Sequence, residues 1–195
     1  MDENQFKQAL ETILDDLKTK LESNRGIQVF VENRDKFEGW VKVEIVDILC
    51  NRMPDKTGKI IPEAPDSNKN ITSEKNKNYQ HVDIVIDDDS ALELKTINTN
   101  YRHDKVKNKI RPISYNIKQL KADIGKLRNL QDENIKNKAI LFVVFPLPKK
   151  DVEKFENRYL KQLKELGINE QDILYKEFTT NSDVPNRIYY VIVRK

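Results

Sequence analysis

The chain has 195 residues and a mass of 23.0 kDa, which suits one domain with a substantial core. Its 35 Lys and Arg nearly balance 32 Asp and Glu, for a net charge of +3, so any polyanion footprint must come from local segregation of charge. One cysteine excludes an internal disulfide or a Cys-built zinc site, two histidines exclude a His cluster, and five scattered glycines exclude a phosphate-cradling loop. No apolar run approaches the roughly 18 residues of a membrane span. The first residues, MDENQFKQAL, lack the basic and apolar regions of a secretory signal, so a soluble cytoplasmic protein is expected.

Residues 4–23 carry Phe6, Leu10, Ile13, Leu14, Leu17 and Leu21 at three- and four-residue spacings, which predicts an N-terminal helix stopped by Gly26. IQVFVE, 27–32, reads as a short strand. A second helix spans 37–50, with Phe37, Trp40, Val41, Ile45, Ile48 and Leu49 as its apolar face and Pro54 as its limit. Residues 52–79 are polar and rich in Pro, Asn, Lys and Ser, a long loop with at most a strand near Ile71–Lys75.

Two alternating strands follow. HVDIVID, 81–87, sets Val82, Ile84 and Ile86 against His81, Asp83 and Val85. ALELKTI, 91–97, sets Leu92, Leu94 and Thr96 against Glu93, Lys95 and Ile97, and the intervening DDDS reads as a hairpin turn. After a basic connector, Pro112 opens a helix to about Leu130 with Ile113, Ile117, Leu120, Ile124 and Leu127 on one face. KAILFVVF, 138–145, is apolar throughout, as a central strand covered on both faces should be. A helix over 149–166 carries Val152, Phe155, Tyr159, Leu163 and Leu166 and is closed by Gly167. Strands at 172–178 and 187–194 finish the chain as a pair. Strands alternating with helices predict an α/β fold, a mixed central sheet flanked by helices on both faces, over a single domain 1–195.

Three charged positions stand out. Glu44 places a carboxylate within the apolar face of its helix, where it needs a cation, a hydrogen-bond network or a metal. Glu93 and Lys95, two apart on a strand, project together while Leu92 and Leu94 anchor the other face. Asp83 interrupts V-D-I-V-I, where strand propensity disfavours aspartate. If Asp83 and Glu93 share a face, their carboxylates can meet around one divalent ion. A plain alternative is a set of structural salt bridges.

A helix glutamate, a strand aspartate and an E-x-K strand, followed by a basic helix and the buried strand KAILFVVF, together resemble the PD-(D/E)XK nuclease superfamily over about 37–145. The resemblance implies a restriction-endonuclease-like fold and a Mg²⁺-dependent endonuclease, with Mn²⁺ as a substitute, acting on double-stranded DNA. It implies Asp83, Glu93 and the Leu94 carbonyl as metal ligands, Lys95 as the motif lysine and Glu44 as the helix carboxylate, with Glu74 the alternative to Glu44. The nominal proline before the aspartate is absent, since His81 and Val82 stand there, and the family's first strand has no evident place within 52–79. Crowded acids should have raised pKa values without a metal.

Between Lys95 and Arg128 ten Lys and Arg face two acids, a local charge of +8, whereas residues 1–38 carry −3. Arg102, Lys105, Lys107, Lys109, Arg111, Lys118, Gln119 and Lys121 are therefore the expected nucleic-acid contacts. Cutting both strands of a duplex would call for a homodimer. The competing expectation is a catalytically inactive nucleic-acid-binding or assembly module of the same fold.

Overall fold

The computed structural model describes residues 1–65, 81–104, 106–107, 113–130, 132–148, 152–180 and 183–194. Its helices are α1 (Glu3–Ser23), α2 (Arg25–Asn33), α3 (Glu38–Arg52), α4 (Ile113–Arg128) and α5 (Val152–Glu165). Its strands are β1 (Ile60–Pro65), β2 (His81–Ile86), β3 (Ser90–Asn98), β4 (Asn137–Phe145), β5 (Ile173–Thr179) and β6 (Pro185–Ile192). They form one six-stranded sheet in the order β1-β2-β3-β4-β6-β5. Only the β3–β4 pair is parallel; every other neighbouring pair is antiparallel. The α/β expectation of a mixed sheet covered on both faces therefore holds.

Two apolar layers sandwich the sheet. On one face, Phe6, Leu10, Leu14 and Leu17 of α1 and Val41, Ile45 and Ile48 of α3 pack with Leu92, Leu94, Leu141 and Val143. On the other, Ile117, Leu120, Ile124 and Leu127 of α4 and Leu163 of α5 pack with Ala91, Ile97, Ile140 and Phe142. The alternation of β3 predicts this division, and every residue of β4 is buried as its composition requires.

Three expectations need correction. IQVFVE is helical, within α2. The Asn24 side chain accepts from the amides of Gly26 (2.8 Å) and Ile27 (3.3 Å), while Ile27 and Val31, one turn apart, enter the core. Asn24 rather than Gly26 thus divides the first two helices. Within 52–79, a 3₁₀ turn (Pro54–Lys59) leads into β1, which pairs with β2. The strand near Ile71–Lys75 lies outside the described residues, as does Pro112.

The third correction concerns β2, whose alternation breaks at Asp83. Ile84 and Ile86 join the α1–α3 layer, but Val82 joins the α4–α5 layer with Val85. Opposite the break, Glu63 of β1 takes a left-handed conformation (φ 53°). The ladder between β2 and β3 accordingly covers only Ile84–Ile86 against Ser90–Leu92, after which the strands part. The hairpin turn bends through left-handed Asp87 (φ 55°) and Asp88 (φ 56°), a backbone region that Asp tolerates better than most residues.

Candidate metal and phosphate site

The parting of β2 from β3 creates the candidate site. Beyond Leu92, the β3 amides on that edge have no strand to pair with. The Leu94 amide donates instead to Asp83 Oδ2 at 2.8 Å, and the Thr96 amide to Glu38 Oε2 at 3.0 Å. Carboxylates thus occupy positions that carbonyls would fill in a continued ladder. The Leu94 carbonyl leaves the strand on the same edge as its amide.

Glu93 and Lys95 project from β3 toward α4. Lys126 donates to Glu93 Oε1 at 2.7 Å, and the Lys95 ammonium lies 2.9 Å from Asp123 Oδ2. Asp83, on the departing strand, is held by Lys42 of α3 at 2.6 Å, and Lys42 also pairs with Glu63. Asp83 lies near enough to Glu93 for its charge to act on it, but its ion-pair partner is on α3, whereas Glu93 and Lys95 pair with residues of α4, the helix on the other face of the sheet.

Glu93 is only 6% exposed. Removal from water drives its pKa up, the Lys126 ion pair opposes this, and the charges of Asp83 and Asp123 add to the rise, leaving it at about 7. The direction is the expected one for Glu93, but burial rather than crowding of acids is the chief cause. For Lys95, burial disfavours the ammonium, but Asp123, with Glu38 and Glu93 farther off, outweighs it and holds the pKa above the ordinary lysine value. Burial likewise opposes the Lys42 charge, and Asp83 and Glu63 overcome it.

The donor chemistry suits a hard cation. Glu93 Oε2 is buried without a hydrogen-bond partner, an expensive condition that a bound cation would relieve. Two carboxylates and a carbonyl are ligands of the kind Mg²⁺ accepts while keeping several waters. Among the described residues, no three His, Cys, Asp or Glu side chains converge to hold a metal.

Glu44 does not join them. Its carboxylate pairs with Lys20 of α1 at 2.5 Å, on the edge of α3 that faces α1 rather than the β2–β3 gap. The helix carboxylate that reaches β3 is Glu38, in the first turn of α3. Glu74 lies outside the described residues. The sequence reading also missed Asp123 as a partner, although it is the one acid in the basic helix ISYNIKQLKADIGKLR and directly precedes the buried Ile124.

The expected nucleic-acid contacts are divided. Arg102 and Lys107 are exposed on the connector after β3, and the Lys107 amide donates to the Glu32 carbonyl at 2.7 Å. Gln119 shares the Asp123 side of α4 by its four-residue spacing. Lys118 and Lys121 lie on the other flank, lining a cavity shared with α5. Lys105, Lys109 and Arg111 lie outside the described residues. His103 is buried, with Nε2 2.6 Å from the Leu147 carbonyl, and so belongs to the fold. Among the described residues no helix is long and apolar enough to cross a membrane. Comparison with known protein families, curated proteins and solved structures finds no match to this chain, so its own geometry has to carry the functional reading.

Proposed function

We infer that the protein is a Mg²⁺-dependent nuclease that hydrolyses DNA phosphodiester bonds, an endonuclease of the restriction-endonuclease-like kind. The observation that carries this reading is the buried, half-satisfied Glu93 carboxylate, within reach of the Asp83 charge and on the same strand face as the charged Lys95, where β2 leaves β3. The element order supports it: α3, the antiparallel β1, β2 and β3, then α4, then β4 parallel to β3. In this reading β1 is the first strand for which the sequence offered no place.

Asp83, Glu93 and the Leu94 carbonyl would hold the ion. When bound, a divalent cation neutralises phosphate charge and acidifies water. Lys95, kept protonated by Asp123, donates to a non-bridging phosphate oxygen and stabilises the charge that grows there during attack. An ammonium so held is no general base. Glu93, near its own pKa at neutral pH, exchanges its proton for cation contact at little cost. Double-stranded DNA as substrate, paired subunits and a cytoplasmic location accompany this reading.

Asp83→Ala and Lys95→Ala should each cut Mg²⁺- or Mn²⁺-dependent cleavage of duplex DNA at least ~100-fold while leaving circular dichroism unchanged. Cleavage at the parental rate by either variant would sink the assignment. One observation favours the inactive binding or assembly module: Asp83, Glu93 and Lys95 each have an oppositely charged partner within the chain. Calorimetric titration with Mn²⁺ separates the two, because the nuclease needs a saturable site that Asp83→Ala removes, and the module needs none.

A further inference from the structure

The flank of α4 turned away from Asp123 and Lys126 borders a cavity of about 600 Å³. Three segments build it: Asn100 after β3; Ser114, Ile117, Lys118 and Lys121 of α4; and Arg158 and Gln162 of α5. Ser114, Lys118 and Lys121 follow one another at four- and three-residue intervals, and Gln119, Asp123 and Lys126 repeat that spacing on the other flank. The helix thus presents one row to Glu93 and Lys95 of β3 and a second row to α5.

Charge and shape select the occupant. Three cations and no acid line the cavity among the described residues, and Lys121 lies 3.6 Å from the Glu165 carboxylate. A lining of cations suits a phosphate monoester, which carries about −1.5 to −2 at neutral pH. The first turn of α4 contains no acid, so the positive end of its dipole adds to this field beside Ser114. The cavity is far larger than a phosphate ion and within the usual range for small-molecule sites. Ile117 supplies apolar wall, and half-buried Tyr101, next to Asn100, lies within electrostatic reach of Arg158. Asn100 and Gln162 offer amide donors and acceptors for a polar body.

We propose that this α4–α5 cavity is a second anion site that binds the terminal phosphate monoester of a nucleotide, with Lys118, Lys121 and Arg158 on the phosphate and the rest of the cavity on the nucleoside. The site is separate from the Asp83–Glu93 pair and does not rest on the hydrolytic reading. The monoester can belong to a free nucleotide or to the phosphorylated end of a strand.

The test is titration of the full chain with adenosine 5′-monophosphate in EDTA, so that metal binding at Asp83 and Glu93 has no part in the result. Saturable binding is expected. Arg158→Ala and Lys118→Ala, both at exposed positions, should each weaken it at least ~10-fold, whereas Lys18→Ala on α1 should leave it unchanged. Displacement of the nucleotide by a 5′-phosphorylated oligonucleotide would assign the monoester to a strand end, and failure of that oligonucleotide to compete would assign it to a free nucleotide. The proposal falls if binding does not saturate, if all three variants bind alike, if inorganic phosphate binds as tightly as the nucleotide, or if a 5′-hydroxyl oligonucleotide competes as well as a phosphorylated one.

Discussion

Glu93 sits in a poor environment for a carboxylate, and the consequence is measurable. Its folded pKa of about 7 stands above the ordinary 4.5, chiefly because burial removes it from water. Between these values the native state binds a proton that the unfolded state has released. Stability therefore falls as pH rises from about 4.5 through 7, and the loss is complete above 7. The shift corresponds to about 3 kcal/mol. Glu93→Gln should remove this slope. In urea unfolding with EDTA, the variant should gain about 3 kcal/mol on the parent between pH 4.5 and pH 8. A difference that does not change with pH would show that Glu93 is not desolvated as described. Asp123 has a different task, holding the Lys95 ammonium at 2.9 Å, so that the lysine arrives charged and directed.

At the scale of elements, small polar residues decide where helices break and where strands part. Asn24 accepts from two amides at the start of α2 and donates its own amide to Lys20 at the end of α1. Asn24→Ala should cost about 1 kcal/mol in unfolding free energy, read as a lower urea midpoint with an unchanged slope. Buried Arg34, at the end of α2, ties that helix to the connector after β3 by donating to the carbonyls of Thr99 and Tyr101. Asp83 plays the matching part for strands. By accepting from the Leu94 amide, it satisfies the β3 edge that β2 abandons, and it leaves Glu93 beside a gap instead of beneath a continuous ladder. The aspartate that looked out of place in a hydrophobic strand is therefore the group that lets the strands separate.

For the whole molecule, the sheet is organised around β4. It lies between β3 and β6, all nine of its residues are buried, and apolar layers cover both faces. Its amides should open only with global unfolding. Native-state hydrogen exchange should find β4 the most protected strand and β1, at the sheet edge, among the least. Exchange of β4 as fast as β1 would contradict this order. The basic excess around α4 is likewise divided by the fold, one row of charges facing Glu93 and Lys95 and another facing the α5 cavity.

Periodicity was sufficient for α1, α3, α4, β3 and β4, because in each a strong apolar pattern and the local backbone preference point the same way. The same pattern put Glu93 and Lys95 on one face, and the oddity of Asp83 singled it out. It failed for 27–32, where β-branched residues suggested a strand but a cap and two core contacts favour a helix. It also could not separate Glu38 from Glu44. Both belong to α3, and the choice depends on the angle at which that helix crosses the sheet: one end reaches β3, while the middle faces Lys20. Residue spacing reports which side chains share a face of one element. Which faces of different elements meet is set by packing between segments far apart in the chain, and the partners Lys42, Asp123 and Lys126 emerge only at that level.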